Sequence, residues 1–253
     1  MRLLYLTSTL PFGAGESFLY PEIEELLRRG FEAWVVPMHP RGPVVHREAW
    51  VVMDRAVAES LLSWRVLGGA LGVLLRFPLR SLFALCLVLT PHPRHLLKNL
   101  AVYPKGLWLG GLARERKIDH IHAHWAATTA SMAMVASAVS GVPWSLTAHR
   151  WDVVENNLLA RKARRACFFR CISEKTRQMA LERGVPREKT IVLHLGVRLP
   201  RGEIASNRPS RREKFVVLCP ASLIPVKGHQ YLIEAMVAVP SVVELWLAGE
   251  GEL

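Results

Sequence analysis

Six short apolar runs recur along this chain, at 3–7, 33–37, 118–122, 144–147, 167–172 and 190–193. Each ends in glycine or polar residues, and stretches of helical period lie between them. Short runs of this kind, apolar throughout at 3–6 and 33–36 and mixed at 118–122, suit strands buried in a sheet. Their alternation with helices suits a parallel sheet covered on both sides. The expected fold class is therefore α/β: a Rossmann-like parallel sheet over residues 1–197, with a helical insert at about 55–115. A basic, polar stretch with two prolines, 198–213, reads as a linker. Residues 214–253 then restart strand (215–219), helix (227–237) and strand (245–248). A single strand–helix–strand unit cannot bury its own core. This last part is thus expected to be a truncated second Rossmann-like domain.

Charge narrows the partners. The 33 Lys and Arg against 21 Asp and Glu leave a formal charge of +12. That favours a phosphorylated small molecule, an anionic inner-membrane surface or nucleic acid. The basic residues are dispersed and no aromatic–basic recognition motif appears, so nucleic acid is not expected. Four scattered cysteines fit a reduced, cytoplasmic setting. Met1-Arg2 leads into a run too short for a signal peptide, with no cleavage site. The most apolar stretch, 66–90, is interrupted by Arg76, Pro78 and Arg80 and falls short of a spanning helix. The insert carries Arg65, Arg76, Arg80, Arg94, Lys98 and Lys105 among leucines and tryptophans. It reads either as helices that cover the sheet or as a face that lies on anionic lipid.

In open parallel sheets a ligand sits beyond the C-terminal strand ends, and polar residues fall at those ends here. Gly13, Gly15, Glu16 and Ser17 follow the first run. The two glycines would let backbone N–H groups approach an anion, and Ser17 would cap a helix over 17–29. A plain tight turn is the alternative. His120, His122 and His124 alternate, so on a strand they share a face. They would hydrogen-bond a sugar or phosphate or bind zinc, and His120 would alternatively pack in the core. His149 and Asp152 lie in a polar loop after the fourth run. They would either tidy that loop or act on a hydroxyl or leaving phosphate. Ser173, Glu174 and Gly196 close the remaining ends. Beyond the linker, Lys227 and Gly228 begin a helix, where a lysine suits a diphosphate or is simply solvated. Gly249, Glu250 and Gly251 end the last strand.

These pieces, in this order, resemble glycosyltransferase family 4. The resemblance rests on LPFGAGESFLYPEIEELLRRGFEAWVVP, IDHIHAHWA, GVPWSLTAHRWD, CISEKTRQMALERG, TIVLHLGV, SLIPVKGHQYLIEA and LWLAGEGEL. It implies the two-domain GT-B fold and a retaining, nucleotide-sugar-dependent hexosyltransferase of surface-glycan type, such as exopolysaccharide biosynthesis. The acceptor would be a glycan or a lipid-linked molecule, with no metal or other cofactor. His149 and Lys227 would be catalytic: His149 contacting the donor sugar or its leaving phosphate, Lys227 stabilising the diphosphate. Gly13, Gly15, Glu16, Ser17, His122, His124, Asp152, Ser173, Glu174, Gly196, Gly228, Gly249, Glu250 and Gly251 would bind substrate. The family commonly has Arg five residues before that lysine, where this chain has Ser222. The family's paired glutamates belong downstream of Gly251. The chain by itself is therefore expected to be inactive, and a longer version active. A second reading is a non-catalytic acceptor- or membrane-binding module whose partner supplies the donor half.

Overall fold

The computed structural model describes residues 1–199 and 214–252. They fall into two compact units, Met1–Arg198 and Leu199–Leu253. In the first, six strands form one sheet: β1 (Arg2–Thr7), β2 (Glu32–Pro37), β3 (His120–His124), β4 (Trp144–Ala148), β5 (Phe169–Cys171) and β6 (Thr190–Val192). Their order is β2-β1-β3-β4-β5-β6 and every pairing is parallel. All six C-terminal ends therefore lie on one rim, as the Rossmann-like reading requires.

Alternation along β1 separates two cores. Leu4 and Leu6 face one side, with the insert helices and the helix after β3; Leu3 and Tyr5 face the other, with Leu19 and Ile23. The second side is covered by α1 (Tyr20–Arg28). The first is covered by an insert made of α2 (Trp50–Met53), α3 (Trp64–Arg76), α4 (Pro78–Val88) and α5 (Pro93–Glu115), together with α6 (Thr128–Ser140). Contact between α5 and α6 is close because Gly106 and Gly110 face Val135 and Val139. A Cβ on Gly106 would come within 2.8 Å of Val135.

Lys105, one of the basic residues spaced along the insert, is buried. Its ammonium donates to the carbonyls of Pro37 (2.6 Å), Met38 (3.2 Å) and Glu59 (2.5 Å), tying α5 to the end of β2. Burial lowers its pKa to about 8. Between α3 and α4 the chain bends by 115°, and no single helix among the described residues is long and apolar enough to cross a membrane.

Three local expectations are corrected. The third strand begins and ends two residues later than the apolar run suggested, so His122 and His124 lie within it. Ser17 does not cap α1; a 3-10 turn over Ser17–Leu19 precedes it, and Leu19 stands at the cap. Helical period assigns 155–165 to one helix; only its later part forms α8 (Leu159–Arg165), and α7 (Arg150–Glu155) occupies the loop expected before it. Asn156 and Leu158, both at positive φ, break the run between them. The expected helix stops are present, with Gly30, Gly141 and Gly184 at positive φ. Ser173 caps α9 (Glu174–Glu182), accepting from the Thr176 N–H at 3.1 Å.

In the second unit, β7 (Phe215–Pro220) and β8 (Val243–Ala248) pair in parallel. The helix between them, α10 (His229–Ala235), is shorter than the periodicity suggested and is flanked by 3-10 turns at Pro225–Lys227 and Met236–Ala238. Residues 200–213 of the expected linker lie outside the described residues.

Candidate active site

The strand order sets Gly15, His124, His149, Ser173 and Gly196 along one rim, following β1, β3, β4, β5 and β6 in turn. At its centre His124 and His149 meet. Their Nε2 atoms are 2.8 Å apart and their ring centroids 5.0 Å. Phe18 packs on both rings, and Trp125 lies against His149 at 4.4 Å between centroids.

A chain of buried polar groups decides which nitrogen holds the proton. Arg170 Nη1 donates to Glu22 Oε2 at 2.6 Å. The Tyr5 hydroxyl donates to Glu22 Oε1 at 2.8 Å and lies 3.2 Å from His124 Nδ1. A carboxylate only accepts, so Tyr5 must give Glu22 its proton and accept from His124 Nδ1–H. That leaves His124 Nε2 bare, and His149 must donate to it from Nε2–H. Burial, with the neighbouring Glu22 charge, raises the Tyr5 pKa well above its usual value and keeps that hydroxyl protonated. Burial first, and the Arg170 charge second, lowers the His149 pKa to about 4. Burial, then His122 and His149, also holds the His124 pKa well below its usual value. Both rings are thus neutral at pH 7. In this arrangement the His149 Nε2–H is committed to His124, and direct donation from it to a ligand requires the ring to turn.

The Asp152 carboxylate forms no hydrogen bond with the His149 ring; the ring instead faces the Asp152 backbone N–H in a capping box. The carboxylate accepts from the backbone N–H of His149 (2.8 Å) and of Ala127 (3.1 Å), joining the ends of β3 and β4. His149 and Asp152 are the N-cap and third residue of α7, so they open a helix and do not sit in a loop. Burial raises the Asp152 pKa to about 6 against the pull of its backbone donors.

Glu16 fills the turn where an anion was expected. Its carboxylate accepts from the N–H groups of Ser8 (3.0 Å), Thr9 (2.6 Å) and Leu10 (2.8 Å), and from the Trp125 indole. The N–H groups that could cradle a phosphate after β1 are therefore occupied from within. Gly13, at φ +70°, donates to the Pro43 carbonyl, while Gly15 is exposed with open space beside it. Ser17 is half-buried beside them. A cleft of about 390 Å³ opens here, between Thr9, Gly15, Trp125 and Thr129.

His122 is drawn away from the rim. Its nitrogens face Ser145 Oγ (2.8 Å) and Thr147 Oγ1 (3.0 Å) on β4, and burial lowers its pKa to about 4. His120 is half-buried and bonds Ser145 Oγ at 2.7 Å, and His122 joins the buried core where a substrate contact was expected, so only His124 reaches the centre. Among the described residues no three His, Cys, Asp or Glu groups are disposed to share an ion. Glu174 is exposed and pairs with Arg177 at 3.5 Å.

Sequence reading missed Tyr5, Phe18, Glu22, Trp125 and Arg170. Trp125 adjoins the histidine run and could have been taken with it. The 148 residues between Glu22 and Arg170 leave no local signal.

Residues 15–201 match the model of Glycosyltransferase Family 4. This chain belongs to glycosyltransferase family 4. Among solved structures, this family 4 chain is similar to Anabaena HepE in complex with UDP and glucose, at 15% identity and a TM-score of 0.62. It is similar too to the lipopolysaccharide outer core galactosyltransferase WaaB, at 11% identity and 0.64. Both alignments cover 100% of this chain and 62% of the other. A UDP-N-acetylglucosamine 2-epimerase, at 11% identity and 0.51, covers 97% and 62%. At these identities the likeness is one of fold, which different chemistries share. The chain thus spans less than two thirds of the length of these neighbours. A search of curated protein sequences finds no match.

In the second unit of this family 4 chain, the loops after β7 and β8 run side by side. Leu223 N donates to the Glu250 carbonyl at 2.9 Å. Gly249 and Gly251 are needed there: a Cβ on either would lie 2.0 Å from a carbonyl oxygen, of Ala221 and Leu223 respectively. Lys227 and Glu250 are exposed, and Gly228 takes positive φ where the 3-10 turn passes into α10.

Proposed function

We propose that the chain is the acceptor-side part of a retaining, nucleotide-sugar-dependent hexosyltransferase that builds a glycan or lipid-linked glycan on the cytoplasmic face of a membrane. The observation that carries this reading is the neutral His149–His124 pair at the centre of the rim, in a chain of family 4. Support for a UDP-sugar donor comes from HepE, whose complexes hold UDP and glucose. His149 is assigned to the donor sugar or its leaving phosphate, and Lys227 to the diphosphate as charge develops on it. Gly15, Ser173, Glu174 and Gly196 would line the acceptor side of the rim. Gly249, Glu250 and Gly251 would line the nucleotide side. Transfer would proceed without a metal, the departing phosphate taking the acceptor's proton.

The 253 residues alone are expected to bind acceptor without turnover, since the paired glutamates that the resemblance assigns to the donor sugar are not among them. The test is sugar transfer from UDP- and GDP-sugars into a membrane glycan extract, by this chain and by a longer form. The longer form should give a product of retained anomeric configuration, and His149→Ala should lower its rate by about 100-fold or more. An inverted product, or a His149→Ala rate equal to wild type, would overturn the reading. Vesicle binding by both forms with transfer by neither would favour the non-catalytic module.

A further inference from the structure

The outer side of α7 and α8 borders a larger cleft of about 940 Å³, whose opposite wall is the start of α5. Arg94, His95, Lys98, Arg161, Arg164 and Arg183 line it. One carboxylate faces them: Glu155, which accepts from Lys98 at 2.7 Å and lies 4.0 Å from His95. Arg161 is held in place by the carbonyls of Leu87 (2.9 Å) and Leu89 (2.7 Å) at the end of α4. Arg94 and Arg164 are exposed and have no carboxylate partner among the described residues. So many cations around one carboxylate repel each other unless an anion enters. The His95 pKa reflects this setting: burial lowers it first, and then His92.

The same surface is apolar beyond the cleft. Trp151 and Val154 of α7 line the rim at 59% and 43% exposure. Leu89 follows α4, where Arg165 of α8 lies over the Phe83 ring at 4.9 Å. An exposed tryptophan, valine and leucine beside unpaired arginines suit the boundary of an anionic bilayer.

We propose that this cleft seats the phosphate of an anionic phospholipid headgroup, with Trp151 and Val154 of α7 and Leu89 after α4 entering the bilayer surface around it. The inference rests on the membrane part of the function proposed above and gives that contact an address. The arginines would hold the phosphate oxygens through charge-assisted hydrogen bonds.

The test is flotation with vesicles of phosphatidylcholine alone and of phosphatidylcholine mixed with phosphatidylglycerol. Wild type should float with the mixed vesicles only. Arg94→Gln/Arg164→Gln should weaken that binding by roughly 10- to 30-fold, at about 1 kcal/mol per lost charge. Arg47→Gln/Arg55→Gln removes the same charge from outside the cleft and should weaken it by less than about 3-fold. Melting temperatures equal to wild type would show that each variant is folded. Equal losses in the two charge variants would overturn the cleft assignment and leave the membrane reading standing. No wild-type binding to mixed vesicles would overturn both. A titration with inorganic phosphate, read by Trp151 fluorescence, separates the sources. Tight saturation there without vesicle binding would make this a seat for soluble phosphate and overturn the lipid assignment.

Discussion

His124 Nε2 lies 2.8 Å from His149 Nε2, at the ends of two adjacent central strands. The half-buried Glu22 carboxylate, reached through Tyr5, fixes His149 as the Nε2–H tautomer. Nitrogen chemical shifts of the His149 ring should report that tautomer in wild type. His124→Phe removes the acceptor, and a mixture of tautomers is then expected. The same change leaves the Tyr5 oxygen without its donor and should cost about 1–3 kcal/mol of stability, read by denaturant unfolding. An unchanged ring signature in the variant would contradict the assigned proton positions.

Acid should weaken the first unit before carboxylate titration alone accounts for it. Burial lowers the His122 and His149 pKa values to about 4, and His124 well below its usual value. Unfolded, these rings take up protons below about pH 6.5 that the folded chain refuses. Their contribution is therefore intact above about pH 6.5 and is lost as pH falls toward 4. Asp152 acts oppositely: its pKa is raised to about 6, so the fold keeps a proton there as pH falls. Three histidines outweigh one carboxyl. A melting temperature lower at pH 4.5 than at pH 7 by about 4 °C or more is expected for a loss of about 2 kcal/mol. His122→Asn should flatten part of that slope.

Glu16 is a built-in anion for the turn after β1. Glu16→Ala leaves the N–H groups of Ser8, Thr9 and Leu10 without their acceptor and should cost about 2–4 kcal/mol. Glu16→Gln, which keeps one acceptor oxygen, should cost less. Added phosphate should recover part of the melting temperature in Glu16→Ala and none in wild type.

Glycines in the insert divide by contact. Gly106→Ala drives a methyl into Val135 and should destabilise by about 1–3 kcal/mol. Gly68, inside α3, has nothing within 4 Å of a Cβ at that position. Gly68→Ala should stabilise by about 0.5–1 kcal/mol through helix propensity. Paired thermal melts of the two variants decide the point.

The parallel α/β layout was legible in the sequence because it depends on local patterning. Apolar runs of strand length imply burial on both faces, and Gly30, Gly141 and Gly184 stop helices at positive φ wherever they fall. The helix break at 156–158 was not legible. Non-glycine residues hold positive φ there, a conformation that packing must impose. His149 was found as a polar residue at a strand end, but its role as helix cap was hidden because histidine is not among the usual capping residues.

What the sequence determined alone is therefore the order of elements and the rim to which its polar residues come. Tertiary structure decided which of those residues face outward. Glu16 turns in because three N–H groups and an indole 109 residues away converge on it. Lys105 is buried because carbonyls from β2 and the insert surround its ammonium. His122 joins the core and His124 the site because their partners lie on β4, β1 and α1. Hydrogen bonds between groups so far apart along the chain leave no periodicity behind, so only the folded geometry can assign them.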